Sequence, residues 1–331
     1  MREFVAIRFG MKKSHPINED WFSAIGIRKS YPFNIFSSKS FLKSYPLFNQ
    51  LLGFFHSLFL PNAKNYILTS TGCMSSVILK KILFKSKVIV INSDTFYKDL
   101  KDITGFKKKY MLWLISFVDL MISTSNQMVS LSNPYLKESI KNKVIYLYGD
   151  INKFSKVNGD LNSKDICAIG AGINTKGTDI LFEAFTLYQK FYPKSKLYLC
   201  GDLNDISNLT IPKNVITPGI IDPSIYLKKS SICINTSRHE SFGVNILEGM
   251  LSSNVVFASK FCGASEILQK IDSRLVITLT PSKISNTLID FQKDITLKKT
   301  IVKKSKKLAL SFSKEKSLSL FKLEIYNFCR K

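Results

Sequence analysis

The sequence predicts an α/β protein built from two parallel-sheet domains. Three observations carry this reading. Short apolar runs alternate with helical patterns from the first residues onward, the arrangement of strand–helix–strand units. The alternation stops at a polar, glycine-broken stretch, Gly149 to Lys164, and then restarts. The chain has 331 residues, 45% of them hydrophobic, enough for two domains with a core each. The expected division is a first domain at 1–150, a linker at 151–165, a second domain at 166–310 and a terminal helical segment at 311–331, with the two domains facing a cleft.

In chain order, Phe4–Phe9 reads as the opening strand. The loop after it, Gly10-Met11-Lys12-Lys13-Ser14-His15-Pro16, either is a solvated loop or offers Lys12 and Lys13 as a source of charge in the cleft. Residues 28–46 are rich in Ser, Lys, Phe and Tyr without periodicity, so an irregular segment is expected. Leu47–Leu60 predicts a helix with a broad apolar stripe of Phe48, Leu51, Leu52, Phe55, Leu58 and Phe59. Tyr66–Thr69 reads as a strand, Met74–Leu83 as a helix, Lys87–Asn92 as a buried strand and Lys107–Phe117 as a helix. Leu120–Ser123 and Lys143–Leu147 complete the first set of strands. Ligands of such sheets belong at the strands' carboxyl ends, where Thr69-Ser70-Thr71-Gly72 and Asn92-Ser93-Asp94-Thr95 stand. Asp94 either contacts substrate there or caps the next helix.

After the break, Ile166–Ile169, Lys196–Cys200, Val215–Thr217 and Ile232–Asn235 read as strands. Thr178–Tyr188, Pro223–Lys229 and Val244–Leu251 read as helices. Thr300–Lys331 predicts one or two basic helices.

The net charge is +24, with 23 basic against 10 acidic residues in 1–160 and 25 against 14 in 161–331. A field of this sign favours anionic partners: nucleotide diphosphates, anionic lipid or nucleic acid. Only six of the 48 basic residues are Arg, and base and phosphate recognition leans on the Arg fork, so nucleic acid is disfavoured. Cys73, Cys167, Cys200, Cys233, Cys262 and Cys329 lie mostly in apolar runs without C-x-x-C spacing and read as buried thiols of a reducing compartment. His15, His56 and His239 are isolated, and no Asp-x-Asp occurs, so no metal and no other cofactor is expected. No secretory leader or membrane-spanning run is recognisable. A cytoplasmic protein is expected.

The most informative stretch is Ser237 to Leu251, Ser-Arg-His-Glu-Ser-Phe-Gly-Val-Asn-Ile-Leu-Glu-Gly-Met-Leu. A strand leads into a polar turn holding Glu240, and a helix starting near Gly243 holds Glu248. Over a pure helix that spacing is roughly 12 Å, the reach of an extended nucleotide-sugar. A carboxylate accepts two hydrogen bonds from a vicinal diol, and a helix N-terminus suits a diphosphate. One acid for each sugar, with an anion site between them, makes a coherent pocket.

This pattern resembles the signature of retaining glycosyltransferases of family 4, the glycosyl transferases group 1, which have the two-domain GT-B fold with Rossmann-like halves. The likeness continues into Val255-Val256-Phe257-Ala258-Ser259 and Gly263-Ala264-Ser265-Glu266-Ile267. Upstream, Gly170 through Lys176-Gly177 to Phe185 resembles the family's phosphate-binding strand–loop–helix. The match covers Cys167 to Leu268 well and the rest weakly. It implies transfer of a sugar from a nucleotide-diphosphate sugar to a glycan or lipid-linked acceptor, with retention and without a metal. Glu240 and Lys176 would be catalytic, Glu240 holding the transferred sugar and Lys176 the departing diphosphate. Gly170, Arg238, Phe242, Gly243, Val244 and Glu248 would complete the donor site, with Glu248 on the ribose. Lys12 and Asp94 stand on the acceptor side. The terminal helix would cross back to the first domain.

The chain departs from the family's pattern at Ala171, where an Arg is usual, at Ser93, where a His is common, and in the one-glycine loop at Gly10. A catalytically weakened scaffold and a nucleotide-sugar epimerase of the same fold are therefore the alternatives. The stripe of Phe48, Leu51, Leu52, Phe55 and Phe59 is flanked by Lys39, Lys43 and Lys64 and joined by Lys107, Lys108 and Lys109. It is either part of the core, with the lysines serving solubility, or a peripheral contact with an anionic membrane surface, which is the expectation here.

Overall fold

The computed structural model describes residues 1–8, 15–33 and 46–330, with the side chains of 46–51 left undescribed. Lys12, Lys13, Lys39 and Lys43 lie outside the described residues, and so do the side chains of Phe48 and Leu51. The chain forms two compact units: residues 1–146 with 315–331, and residues 147–314.

The first unit runs β1 (Arg2–Arg8), α1 (Pro16–Ala24), β2 (Ser30–Pro32), α2 (Pro46–Phe59), β3 (Ala63–Leu68), α3 (Ser75–Phe84), β4 (Lys87–Asn92), α4 (Phe96–Asp99), α5 (Gly105–Ile115), β5 (Leu120–Ser123), α6 (Asn126–Ser132) and β6 (Lys141–Val144). Its sheet has the order β2-β1-β3-β4-β5-β6, parallel throughout. Buried on both faces, its strands read as continuous apolar runs rather than alternating ones. In β4, Val88, Ile89, Val90 and Ile91 are all fully buried.

Among the differences from expectation, two have a clear cause. Ser30–Pro32, read as irregular, is an edge strand: Ala6, Ile7 and Arg8 pair with Ser30, Tyr31 and Pro32. Three residues are too few to show periodicity. The strand expected at Lys143–Leu147 lies at Lys141–Val144, because register with β5 places Leu120 opposite Lys141. Apolarity alone favoured the later window.

The second unit runs α7 (Ile151–Phe154), β7 (Ile166–Ile169), α8 (Thr178–Gln189), β8 (Leu197–Cys200), β9 (Val215–Gly219), α9 (Ser224–Lys229), β10 (Ile232–Asn235), α10 (Val244–Leu251), β11 (Val255–Ser259), α11 (Ser265–Gln269), β12 (Val276–Ile277), α12 (Pro281–Lys293) and α13 (Ile295–Ala309). Its parallel sheet has the order β12-β11-β10-β7-β8-β9. The central pair β7–β10 brings two loops side by side: the one before α8 and the one before α10. The polar stretch Gly149–Lys164 is not structureless. Asp150 caps α7 through its carboxylate, 3.0 Å from the Lys153 N–H, and Phe154 is buried.

The last helix, α14 (Lys314–Cys329), packs on the first unit. Fully buried Trp21 of α1 stacks on Phe321 at 4.9 Å between ring centroids, and its Nε1–H donates to Ser317 Oγ at 3.0 Å. The Ser317 hydroxyl in turn donates to the Tyr146 carbonyl. Aromatic area plus a satisfied indole N–H makes this the anchor of the chain's end.

Candidate functional site

The site lies at the carboxyl ends of β7 and β10, inside the second unit. From β7 the chain turns through Gly170 and Gly172, both at positive φ, to Lys176, and Gly177 then opens α8 in the left-handed region at φ +64°. A Cβ on Gly177 would sit 2.3 Å from the Thr236 carbonyl oxygen, so the two loops touch backbone to backbone at this glycine. Thr236 Oγ1 ties them further, donating to the carbonyls of Lys176 and Gly177.

The second loop follows β10. Arg238 N–H donates to the Thr175 carbonyl at 2.8 Å. Glu240 is pinned by its own backbone: its N–H donates to Phe261 O and its carbonyl accepts from Gly263 N–H. Gly243, at φ +93°, then starts α10. A Cβ there would meet Cys262 Sγ at 2.8 Å and Glu240 Cγ at 3.2 Å, so the Glu240 side chain lies directly over the helix start. At such a start the N–H groups have no intrahelical acceptor. Gly243 and Val244 stand there, preceded by Phe242, whose side chain is fully buried.

The structure brings the expected Lys176 and Glu240 into contact: Lys176 Nζ donates to Glu240 Oε2. The stem of Lys176 lies on Gly170, where an added Cβ would be 3.2 Å from Lys176 Cε. Gly170, Lys176, Glu240 and Gly243 are therefore one continuous surface, with two helix starts beside it.

Glu248 is on the same helix as Val244 but in a different environment. Its carboxyl makes no hydrogen bond or ion pair among the described residues. Burial pushes it up to about 7; Lys153 pulls it down, while Asp150 and Asp222 add to the rise. Lys153 is itself paired with Asp222 at 2.8 Å.

Arg238 is engaged within the domain. Its guanidinium forks onto Asp179 of α8, at 2.7 and 2.6 Å, and also donates to the Ile173 carbonyl. The pairing holds the Asp179 carboxyl below its ordinary value and raises the guanidinium. Arg238 thus clamps the first loop to the second, with its charge offset by a carboxylate.

In the first unit, Asp94 sits at the carboxyl end of β4. It accepts from the Phe96 N–H at 3.1 Å, at the start of α4, and burial raises its carboxyl, with Ser70 hydrogen-bonded to it. Asp94 thus turns the chain into α4 from the position before its N-cap, Thr95. Nearby, Thr71 Oγ1 donates to the hydroxyl of fully buried Tyr97.

Comparison with known proteins fits this geometry. Residues 150–308 match the family Glycosyl transferases group 1. They form a glycosyl transferases group 1 domain, and the protein is a glycosyltransferase. The chain is 25% identical over 260 residues to the uncharacterized glycosyltransferase MJ1178 of Methanocaldococcus jannaschii, covering 74% of this chain and 69% of that protein. Among solved structures it is similar to Anabaena Alr3699/HepE in complex with UDP-glucose, with a TM-score of 0.73, 15% identity and coverage of 97% and 99% of the two chains. It is also similar to sucrose-phosphate synthase from Thermosynechococcus elongatus, with a TM-score of 0.68, 12% identity and coverage of 99% and 98%. The fold is GT-B.

Several residues of this transferase domain were not legible as site residues. Asp179 was hidden because an acid in the first turn of a helix is ordinary. Phe261 and Cys262 were hidden because one acts through its carbonyl and the other through volume. Asp150 and Lys153, which set the environment of Glu248, lay in a stretch read as linker.

Proposed function

We propose that the protein transfers a sugar, with retention of anomeric configuration, from a nucleotide-diphosphate sugar to a glycan or lipid-linked acceptor. The contact between Lys176 and Glu240, laid between two helix starts, is the observation that carries it. A donor exchanges this ion pair for two better-matched partners. Lys176 turns to the diphosphate and Glu240 to hydroxyls of the transferred sugar. The N–H groups of Phe242, Gly243 and Val244 add backbone donors to the phosphates. As the bond to the sugar breaks, negative charge grows on the departing phosphate oxygen, and a cation fixed beside it lowers that barrier. The departing oxygen, rather than a protein base, assists the incoming hydroxyl. Glu248 accepts from the ribose diol. Ala171 leaves the first loop one cation short of the family's pattern, and Arg238 is the nearest replacement once Asp179 shares it. Side-chain and backbone donors serve in place of a metal.

HepE binds UDP-glucose in one crystal structure and UDP with glucose in another, and a mutant of S. aureus TarM holds UDP together with fondaparinux and alpha-GlcNAc-glycerol in a third. Uridine diphosphate sugars are therefore the first donors to try. The test is turnover of a nucleotide-sugar panel, with and without a chelator, followed by determination of the product's anomeric configuration. Retention, with turnover unchanged in chelator, is the expected result. Inversion, or loss of turnover restored by manganese, refutes the corresponding part. A product still attached to nucleotide would show an epimerase, and donor binding without turnover a scaffold.

A further inference from the structure

We propose that the end of the first unit formed by the carboxyl termini of α2 and α3 docks on an anionic bilayer surface. The proposal does not depend on the donor chemistry above.

The apolar part is exposed in a way a core cannot explain. On α2, Phe55, Leu58 and Phe59 are 66, 63 and 83% exposed; on α3, Ile82, Leu83 and Phe84 are 58, 69 and 43% exposed. Three consecutive helical residues span about 200° of the helix surface. All three can face solvent only where a helix end projects beyond the elements it covers. The αL residue Lys85, at φ 52°, turns the chain there before β4 begins.

The two ends belong to one patch. The helices pack along each other, closely enough that a Cβ on Gly53 would lie 2.1 Å from Ser75 Oγ. From that contact both run on to their carboxyl termini. Lys80 of α3 reaches Asn62, just past the end of α2, with Nζ 2.7 Å from its Oδ1. The ends are therefore side by side, next to the starts of β3 and β4. That is the edge opposite the carboxyl ends of these strands, where Ser70 and Asp94 stand, so docking leaves the ligand edge of the sheet open.

Charge identifies the occupant. From Pro46 to Lys87 the chain carries Lys64, Lys80, Lys81, Lys85 and Lys87 and no carboxylate. Lys80 is buried on Asn62 and Lys81 pairs with Asp119, so exposed Lys64 and Lys85 are the charges offered to a partner. Apolar side chains flanked by Lys64 and Lys85 match a surface of anionic headgroups over acyl chains: the rings and Leu side chains insert shallowly while the ammonium groups meet phosphates. A second copy of the chain would bring the same lysines face to face, and like charges across a contact disfavour it.

The experiment is co-sedimentation of the full chain with phosphatidylcholine vesicles, with and without phosphatidylglycerol. Binding should require the anionic lipid and weaken as salt rises. The double substitution Phe59→Ser and Leu83→Ser should lower partitioning by about tenfold or more and leave the melting temperature without vesicles unchanged. Lys64→Glu with Lys85→Glu should abolish the preference for anionic lipid. Equal binding to both vesicle types, or partitioning unchanged in the serine variant, overturns the proposal. So does a serine variant that melts early without vesicles, which would show the side chains already covered by protein. A concentration-dependent dimer that the serine substitutions dissociate would overturn it in favour of a contact between copies.

Discussion

The carboxyl ends of the two sheets solve the same problem in different ways. At β7 and β10 of the second unit, backbone approach and charge do the positioning. Glycines at positive φ let Lys176, Glu240 and the start of α10 converge, and an Arg–Asp fork clamps the loops. At β3 and β4 of the first unit, ordinary side chains satisfy one another. Asp94 accepts from Ser70 and the Phe96 N–H, Thr71 meets Tyr97, and Asn92 donates to Ser123, Ser132 and the Met128 carbonyl. The first arrangement is stocked with side-chain cations and carboxylates in mutual contact and suits a charged ligand. The second is a frame of mutual hydrogen bonds around one buried carboxyl, with Asn92 Oδ1 left without a partner among the described residues.

The comparison breaks most easily at its glycines. Gly177 and Gly105 have nearly the same φ, +64° and +63°, and each stands at a helix start. A Cβ on Gly105 meets nothing within 4 Å, whereas one on Gly177 meets the Thr236 carbonyl at 2.3 Å. Gly105→Ala should therefore cost only the left-handed strain, about 1 kcal/mol. Gly177→Ala adds overpacking against backbone that cannot yield without moving β10, so about 3 kcal/mol or more is expected. Chemical denaturation of both variants checks this. Equal losses would mean that the loops are not locked together at Gly177.

Glu240 and Glu248 sharpen the comparison within the second unit. If Glu240 serves the sugar, Glu240→Ala should lower kcat by roughly 10- to 100-fold and change nucleotide-diphosphate affinity little. If Glu248 serves the ribose, Glu248→Ala should weaken nucleotide-diphosphate binding by about 1–3 kcal/mol. Calorimetric titration with the nucleotide diphosphate alone separates the two, and equal losses in both variants would remove the division of labour.

How much was legible follows from the same contrast. The second unit's loops were readable because their chemistry needs rare combinations: Gly170, Lys176 and Gly177 before one helix, Glu240, Phe242 and Gly243 before the next. The strands Ile166–Ile169 and Ile232–Asn235 were readable because double-sided burial demands unbroken apolar runs. The segments Thr69–Gly72 and Asn92–Thr95 were placed at the strand ends, but the bonds that tie them were not readable, because Ser70, Thr71 and Tyr97 act only through their mutual placement. The edge strand Ser30–Pro32 is set by pairing with β1, not by its own pattern. The helix after Asp150 was hidden by glycines on either side, although Asp150 is itself a standard N-cap type. The apolar stripe of Leu47–Leu60 was visible as a stripe, but only the fold shows that its last turn is exposed beside the end of α3.

Burial of Glu248 also makes a pH prediction. Its carboxyl is raised from 4.5 to about 7 in the folded protein, so the fold holds a proton that the unfolded chain releases. Its contribution to stability is complete below about pH 4.5, declines as pH rises, and is lost above about pH 7. Glu248→Gln has no such dependence. The variant should therefore gain on the parent in melting temperature as pH rises from 4.5 to 7, with the gap constant above that. A gap independent of pH would show that the carboxyl is solvated and ordinary.

The smallest expected effect concerns the clamp. Asp179→Asn keeps the side chain's shape but removes the charge that offsets Arg238. Both partners are partly exposed, so solvent screening limits the stability loss to about 1 kcal/mol. Affinity should move the other way. The first loop carries Ala171 and has Lys176 as its cation, and an Arg238 no longer neutralised by Asp179 adds a second positive charge beside the inferred diphosphate. Nucleotide-diphosphate binding should tighten about two- to fivefold, the range set by a partly exposed charge, and the gain should shrink as salt rises. The two readouts are opposite in sign, so a general loosening of the loops cannot imitate them. If affinity and stability fall together, Arg238 works only as a strut between the loops, and the diphosphate is left to Lys176 and the start of α10.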